Sequence, residues 1–430
     1  MHVDSTNSDN LWIAVAPMFR FDWVAEPSMY IAEGPTHDGQ GQLYFTPLNP
    51  KEDVSLVALD SETGARRWSV PGRGLADGAP LVLDDPARPG EKIVYHSTYQ
   101  HAMALRSDGT LIWKVPTGLP PHRPEPGQTQ AVHTWGMNYH PPLDALIGVT
   151  IDGQLYAHDR RTGRRIAGPF ALPGAPAILH PRPPGWATDP ANEALGEVFG
   201  DVPGTDGLFT LLFDVIFGSG YQVSNFYAVE PRRGRIYVAA TAPDGEDGAV
   251  DGVSANGALY MLQLQAAGEG ARFVLRERFF FDGGTGSTPS VSPDGSRVVV
   301  SDEHGHVILL DADLKERWRF DVGAQIAASV AVSPDNRELY VATRFDICKL
   351  IDRGDRGELA WRATLDAYPG YDNFNALTPT VAANGVAVMV GGGRQVGDQQ
   401  VMHRVGAALL DRETGKIRYF AEGREESIAV

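Results

Sequence analysis

His140, in the run Asn138-Tyr139-His140-Pro141-Pro142, is the side chain in this sequence best placed to move a proton near neutral pH. Acid–base work needs a partner within hydrogen-bond reach. Glu33 and Asp77 fall at comparable places in two other repeats of the chain, and the three together are the expected acid–base group. Arg344 is a candidate anchor for an anionic substrate group. Trp135, Tyr139, Asn225, Tyr227 and His96 would line an aromatic pocket with a few polar groups, the usual make-up of a small-molecule site. Without a cofactor, carboxylates, imidazoles, phenols and one guanidinium support proton-transfer chemistry: lyase, isomerase, cyclase or hydrolase. Each residue also has a structural reading. His140 could bond the backbone of a neighbouring repeat, and Arg344 could pair with acids of the next one.

Other chemistries find less support. Asp244-Gly245-Glu246-Asp247-Gly248 with Asp251 offers oxygen ligands for calcium, but a solvated acidic loop has the same composition. His304-Gly305-His306 puts two imidazoles on one side of a strand with no third ligand, so no zinc site is expected. Gly391-Gly392-Gly393 lacks the spacing and the strand–turn–helix context of a dinucleotide loop. Cys348 is the single cysteine, which excludes an internal disulfide and any multi-cysteine metal site.

The formal charge of −17 opposes binding to phosphate backbones or anionic lipid, since such binders supply Lys and Arg to replace counterions. Nucleic acid is not an expected partner. The longest apolar run, Leu208–Phe217, is about half of what a bilayer span needs and carries Asp214, so no membrane span is expected. MHVDSTNSDNLW has neither a basic segment nor an apolar run, and the chain as given reads as cytoplasmic, or as periplasmic or secreted if a signal peptide has been removed.

The elements that must position these groups are repeats. Val57–Trp68 reads VALDSETGARRW: a strand, a tight turn closing on glycine, and a second strand with a tryptophan. Ala408–Tyr419 (ALLDRETGKIRY), Ile308–Trp318, Met103–Trp113 and Leu155–Ile166 repeat it, with looser copies at Leu259–Phe279 and Lys349–Trp361. Each copy extends backwards into two more strands, giving units of four antiparallel strands, A to D. The 48 glycines and 31 prolines suit so many turns and argue against a helical class. Self-similarity at about 40–60 residues is the signature of a closed array, and repeats allow one domain to span all 430 residues.

The pattern resembles the PQQ-like repeat of quinoprotein-type β-propellers, whose blades carry an ALD-x-x-TG-x-x-x-W motif. The resemblance runs from about Glu33 to Phe420 and implies an all-β propeller. The C strands, anchored at Asp60, Arg106, Asp159, Gln263, Asp311, Asp352 and Asp411, count seven blades. The interval from Asp159 to Gln263 is about twice the others, which implies an insertion over 174–224 or an eighth, degenerate blade. Asp189-Pro190 opens a short helix there, with Asp189 as N-cap. The A strand of the third blade is read at Pro141-Pro142-Leu143, so that His140 begins it.

The resemblance covers PQQ dehydrogenases and scaffolds resembling BamB. A dehydrogenase of this kind would carry adjacent cysteines and a longer chain, so PQQ is not expected. In four-stranded blades the D–A and B–C connections leave on one face, where Val115–Tyr139, Gly174–Ser224, Ala240–Asn256 and Gly391–Arg404 far exceed the usual two to six residues. The expected function is a cofactor-independent enzyme or binder for a hydrophobic or aromatic molecule, sited at the channel mouth under the insertion. The alternative is a non-catalytic protein-interaction scaffold.

Overall fold

In the computed structural model the repeats fold into seven four-stranded antiparallel sheets, each with its strands paired in chain order. The structure describes residues 4–11, 13–16, 23–26, 29, 34–47, 52–72, 78–120, 134–177, 184–199, 207, 209–210, 222–285, 287–326, 329–372, 374, 378–396 and 399–422. The blades are β1–β4 (Thr36–His37, Gln42–Phe45, Val54–Asp60, Arg66–Pro71) and β5–β8 (Leu81–Asp84, Lys92–Ser97, His101–Arg106, Leu111–Pro116). The third and fourth are β9–β12 (Thr134–His140, Ala145–Thr150, Gln154–Asp159, Arg165–Ala171) and β13–β16 (Ala228–Glu230, Arg235–Thr241, Gly257–Ala267, Gly270–Phe281). The fifth and sixth are β17–β20 (Ser290–Val291, Arg297–Ser301, His306–Asp311, Glu316–Asp321) and β21–β24 (Ala331–Val332, Glu338–Ala342, Asp346–Asp352, Gly357–Thr364). The last is β25–β28 (Thr380–Ala382, Gly385–Val396, Gln399–Leu410, Ile417–Glu422). The interval between β12 and β13 holds an insertion that contains the helix α1 (Gly185–Phe199), and no eighth sheet among the described residues.

The repeat signature works as a local device. Asp60 Oδ1 accepts hydrogen bonds from the backbone N–H groups of Glu62 and Thr63 and from the Thr63 hydroxyl, at 3.0, 2.9 and 2.9 Å. Asp159 and Asp411 cap their own C–D turns in the same way. The glycine that follows takes a left-handed φ, +71° at Gly64, a conformation that other residues adopt at a cost.

In blades two, three and seven that glycine also receives the tryptophan of the preceding blade; in blade six the contact falls on Gly357, the first residue of β24. The Trp68 ring lies over Gly109, Trp113 over Gly163, Trp318 over Gly357 and Trp361 over Gly415, so close that a Cβ at any of the four would stand 3.0 Å or less from the indole. Each indole N–H donates to the same turn: to Ser107 O (2.8 Å), Arg160 O (3.3 Å), Asp352 Oδ1 (2.9 Å) and Arg412 O (2.9 Å). The D-strand tryptophans therefore sit between blades, as their spacing predicted. Where blade four meets blade five, Phe279 packs against the apolar cluster of that seam, which includes Leu314, placed in the turn at φ +58°.

Two sequence readings are corrected here. The inner strand of the third blade is β9, Thr134–His140, and Pro141–Leu143 is a 3-10 turn after it, closed by Asp144 at φ +47°. Two consecutive prolines offer no N–H to a ladder, so they fit a turn and not a strand. His140 consequently ends the inner strand. Helix α1 begins at Gly185, and Pro190 lies inside it, so Asp189 is not its N-cap.

Apolar clusters fill the seams between blades: one and two around Leu56 and Val94, two and three around Tyr95 and Leu146, three and four around Ile147 and Tyr260, four and five around Tyr237 and Val300, five and six around Val299 and Val341, six and seven around Tyr340 and Val388. Blade one contributes Phe45, Val57 and Leu59 to a seventh cluster, and the residues that complete it, Trp23, Ala25 and Met29, come from the segment before β1. Trp23 repeats the blade-to-blade contact: its ring lies over Gly64, and its indole N–H donates to Ser61 O at 3.2 Å.

Candidate functional site

Of the residues read as an acid–base group, the described residues include His140 alone. Trp135 and His140 stand at opposite ends of β9, about 16 Å apart at the usual strand rise. The end carrying His140 faces the short A–B and C–D turns. There its imidazole is buried, and Nε2 lies 3.2 Å from Gly234 O in the A–B turn of the fourth blade. Burial lowers its pKa and keeps the ring neutral. Tyr139, beside it, donates its hydroxyl to Asp144 (2.9 Å), and the Arg160 guanidinium lies over its ring, 5.1 Å from the centroid. Asp144 also accepts from Arg160 (2.6 Å) and Arg161 (3.0 Å), so Tyr139 belongs to an ion-paired turn. Glu33 and Asp77 lie outside the described residues.

At the other end of β9, Trp135 and Tyr227 come together as members of the seam between blades three and four. The Trp135 indole N–H donates to Val223 O at 2.9 Å. Tyr227 is fully buried and its hydroxyl donates to Ile147 O; burial drives its pKa well above the ordinary phenol value. Asn225 Oδ1 accepts the backbone N–H of Phe226 at 2.8 Å. His96 is buried in β6, and burial, with Lys114 adding to it, pushes its pKa down to about 4. Arg344 is exposed in the B–C turn of the sixth blade, its guanidinium 5.5 Å from the centroid of the Phe345 ring.

The side chains read as possible metal ligands are engaged locally. Asp244 and Asp247 turn their carboxylates onto their own loop: Asp244 accepts from Asp251 N–H (3.1 Å), and Asp247 from Ala249 (3.1 Å) and Ala255 (2.8 Å). His306 Nδ1 lies 2.8 Å from the buried carboxylate of Asp302. No group of three or more His, Cys, Asp or Glu side chains among the described residues is arranged to hold a metal ion.

Residues that carried no chemical signal occupy the axis instead. The segment Asp4–Asn10 lies within the ring of inner strands, with Thr6 to Asn10 all buried. Its carbonyls take up inner-strand donors one blade after another. Ser5 O accepts from Asn138 Nδ2 of blade three (3.1 Å) and Val229 N–H of blade four (2.7 Å). Thr6 O accepts from Val291 of blade five, Ser8 O from Val332 of blade six and Asp9 O from Val381 of blade seven, each at 2.8 Å. The Asp4 carboxylate ties the loop, accepting from Thr6 N–H (2.7 Å), the Thr6 hydroxyl (2.5 Å) and the Ser8 hydroxyl (2.6 Å). Asn7 and Asp9 supply left-handed φ values of 52° and 51°, which these two residue types tolerate. The chain then follows the inner strand of blade seven: Asn10 bridges Val381 in parallel, Ala383 N–H donates to Ile13 O (3.0 Å), and Asn384 brackets Val15 (3.0 and 2.8 Å).

The face of D–A and B–C connections carries exposed apolar groups. Val250, 86% exposed, stands at the tip of the blade-four B–C loop; Trp186 (69%) lies on the first turn of α1, and Phe345 (60%) beside Arg344. The segment leading to α1 and the blade-four loop adjoin, through a bridge between Ala177 and Ser254 and a bond from Ser254 N–H to Pro176 O at 2.9 Å. Around Val250 and Trp186, Asp244, Glu246, Asp251, Asp189, Glu193 and Glu197 are exposed.

Fold and motifs together define a seven-bladed β-propeller of PQQ-like repeats. The sequence model of the family described as outer membrane protein assembly factor BamB matches residues 3–168 and 234–419, and the chain belongs to that family. The unmatched stretch between them contains the insertion, along with the end of β12 and β13. Among solved structures, BamB from Moraxella catarrhalis is similar at 11% identity, with 92% of this chain and 90% of that one covered and a TM-score of 0.50. The computationally designed Ika8 protein is similar at 10% identity, covering 93% and 89%, with a TM-score of 0.51. At such identities both describe the fold. A search of curated proteins finds no match. No helix among the described residues is long and apolar enough to cross a membrane.

Proposed function

We propose that this protein is a non-catalytic scaffold that docks a protein partner on the face of its D–A and B–C connections. One observation carries the reading: the central channel, at whose mouth a small-molecule site was expected, is taken up along its axis by the chain's own Asp4–Asn10. The same face presents Trp186, Val250 and Phe345 to solvent, and isolated apolar groups within a polar rim are the anchors of protein recognition. Membership of a family described by an assembly factor agrees with a role in holding other proteins. The carboxylates around Val250 and Trp186, in a chain of net charge −17, favour a partner with a basic surface.

The test compares the tagged full chain with a variant carrying Trp186→Ser, Val250→Ser and Phe345→Ser. The three side chains are exposed, so the variant keeps its fold. We expect a protein from the native cell extract to bind the parent stoichiometrically, weaken with rising salt, and be lost from the variant. An identical set of bound proteins for both chains overturns the proposed face. Native mass spectrometry that captures a small molecule from the extract, or PQQ with calcium, overturns the scaffold reading in favour of a ligand site.

A further inference from the structure

The hub of this propeller has the properties of a peptide-binding site. Four inner strands direct a backbone N–H at one short segment, and a fifth adds the Asn138 amide. These donors face the axis, where a segment's carbonyls meet them or water does. The segment they hold, Asp-Ser-Thr-Asn-Ser-Asp-Asn, has no apolar side chain. It is retained by hydrogen bonds, whose loss water largely compensates, and not by apolar burial. Its fit is also incomplete: Asn7 Oδ1 is buried without a partner among the described residues, as are Thr288 Oγ1 and Ser290 Oγ of blade five. Blades are contiguous in sequence, so no strand of the ring is lost when the segment leaves. Trp23, Ala25 and Met29, the apolar part of the amino-terminal arm, bind separately at blade one.

We propose that the hub is a recognition site for a looped peptide bearing a carboxylate and, two and four residues later, hydroxyl groups. In this chain Asp4–Asn10 occupies it in cis, and the site takes the same sequence in trans. The Asp4 carboxylate gives selectivity, because it holds Thr6 and Ser8 so that the carbonyls point outward to the blades. Tethering presents the segment at an effective concentration on the order of millimolar, enough to keep a weak ligand in place. A competing peptide of that pattern, from a partner or a second copy, would displace it. The docking face lies on different residues, Trp186, Val250 and Phe345, although both readings rest on Asp4–Asn10 filling the axis of the uncut chain.

The experiment uses the full chain with a protease recognition sequence inserted between Pro17 and Arg20. After cleavage the protein is dialysed and titrated with a fluorescent peptide of residues 1–16, read by anisotropy. We expect the cut arm to leave, the far-UV circular dichroism to persist, and the peptide to bind with one-to-one saturation. A peptide with Asp4→Ala should bind roughly tenfold or more weakly. An arm that stays bound against excess peptide, a ring that unfolds on cleavage, or a vacated hub that does not bind the peptide each overturns the proposal. Hydrogen exchange on the uncut chain gives an independent reading: Asp4→Ala should accelerate the amides of Val229, Val291, Val332 and Val381 together, and an unchanged pattern counts against the site.

Discussion

Trp23 and Gly64 close the seam into blade one, and a double-mutant cycle on them measures that closure. Fully buried aromatic residues cost about 3–5 kcal/mol on truncation to alanine. Trp23 is half-buried, so Trp23→Ala should cost about 2 kcal/mol for packing and about 1 more for the bond to Ser61 O. Gly64→Ala carries two penalties. A Cβ at φ +71° costs about 1–2 kcal/mol, and that Cβ would stand 2.6 Å from the Trp23 ring, an overlap worth about 1–3 kcal/mol. Removing the indole abolishes the second penalty and leaves the first. The double variant should therefore be more stable than the sum of the single changes predicts, by about 1–3 kcal/mol. Urea unfolding followed by far-UV circular dichroism reads all four chains. Trp23→Ala combined with Gly163→Ala, at the seam of blades two and three, should be additive within about 0.5 kcal/mol. Additivity at Trp23 and Gly64 would show that this indole does not pack on that turn, and the seam between the amino-terminal segment and blade one would be refuted.

Two further outcomes follow from buried titratable groups. His96 is neutral in the folded chain down to about pH 4, whereas the unfolded chain protonates it near 6.5. Because the unfolded state then binds the extra proton, stability is fully present above about 6.5 and falls as the pH drops towards 4, by roughly 3 kcal/mol for this residue; His96→Gln should flatten that part of the pH–stability curve, and an unaltered slope would remove His96 as its source. Burial, with Asp346 adding to it, pushes the Cys348 thiol up to about 12. Native protein at pH 8 should resist iodoacetamide and react only in denaturant, as mass spectrometry of the alkylated chain would show; rapid native labelling would contradict the burial.

The blades were legible because their determinants are local. Asp60 caps its turn two and three residues on, and Trp68 meets Gly109 one unit later, so a motif repeated at fixed spacing carried both turn and seam. The third blade misled because Pro-Pro-Leu shares the small, apolar look of the other inner strands, and the missing N–H groups outweigh that likeness. The loss of one strand's length turned His140 from the channel mouth to the opposite face. Trp135 and Tyr227, read with Tyr139, Asn225 and His96 as pocket lining, belong to a seam between blades: an aromatic group at a loop mouth serves a core or a pocket equally well, and only the packing decides.

Asp4–Asn10 was illegible for the complementary reason. A run of Ser, Thr, Asn and Asp has no period and reads as a solvated tail, and its partners lie far along the chain: Asn10 bonds Val332, 322 residues away. What makes it structural is a demand of the ring and not a property of the segment. Each inner strand pairs on one side only and turns its other edge to the axis, so a closed array of blades leaves a circle of unsatisfied donors at its centre. A polar, turn-forming peptide with two residues that tolerate left-handed φ meets that circle better than any apolar strand would. The same arm then supplies Trp23 at the seam of blade one. The hub and the seam on blade one thus rest on residues that carry no repeat signature, Asp4–Asn10 and Trp23, Ala25 and Met29, and for that reason perturbations there test the architecture more sharply than substitutions inside any one blade.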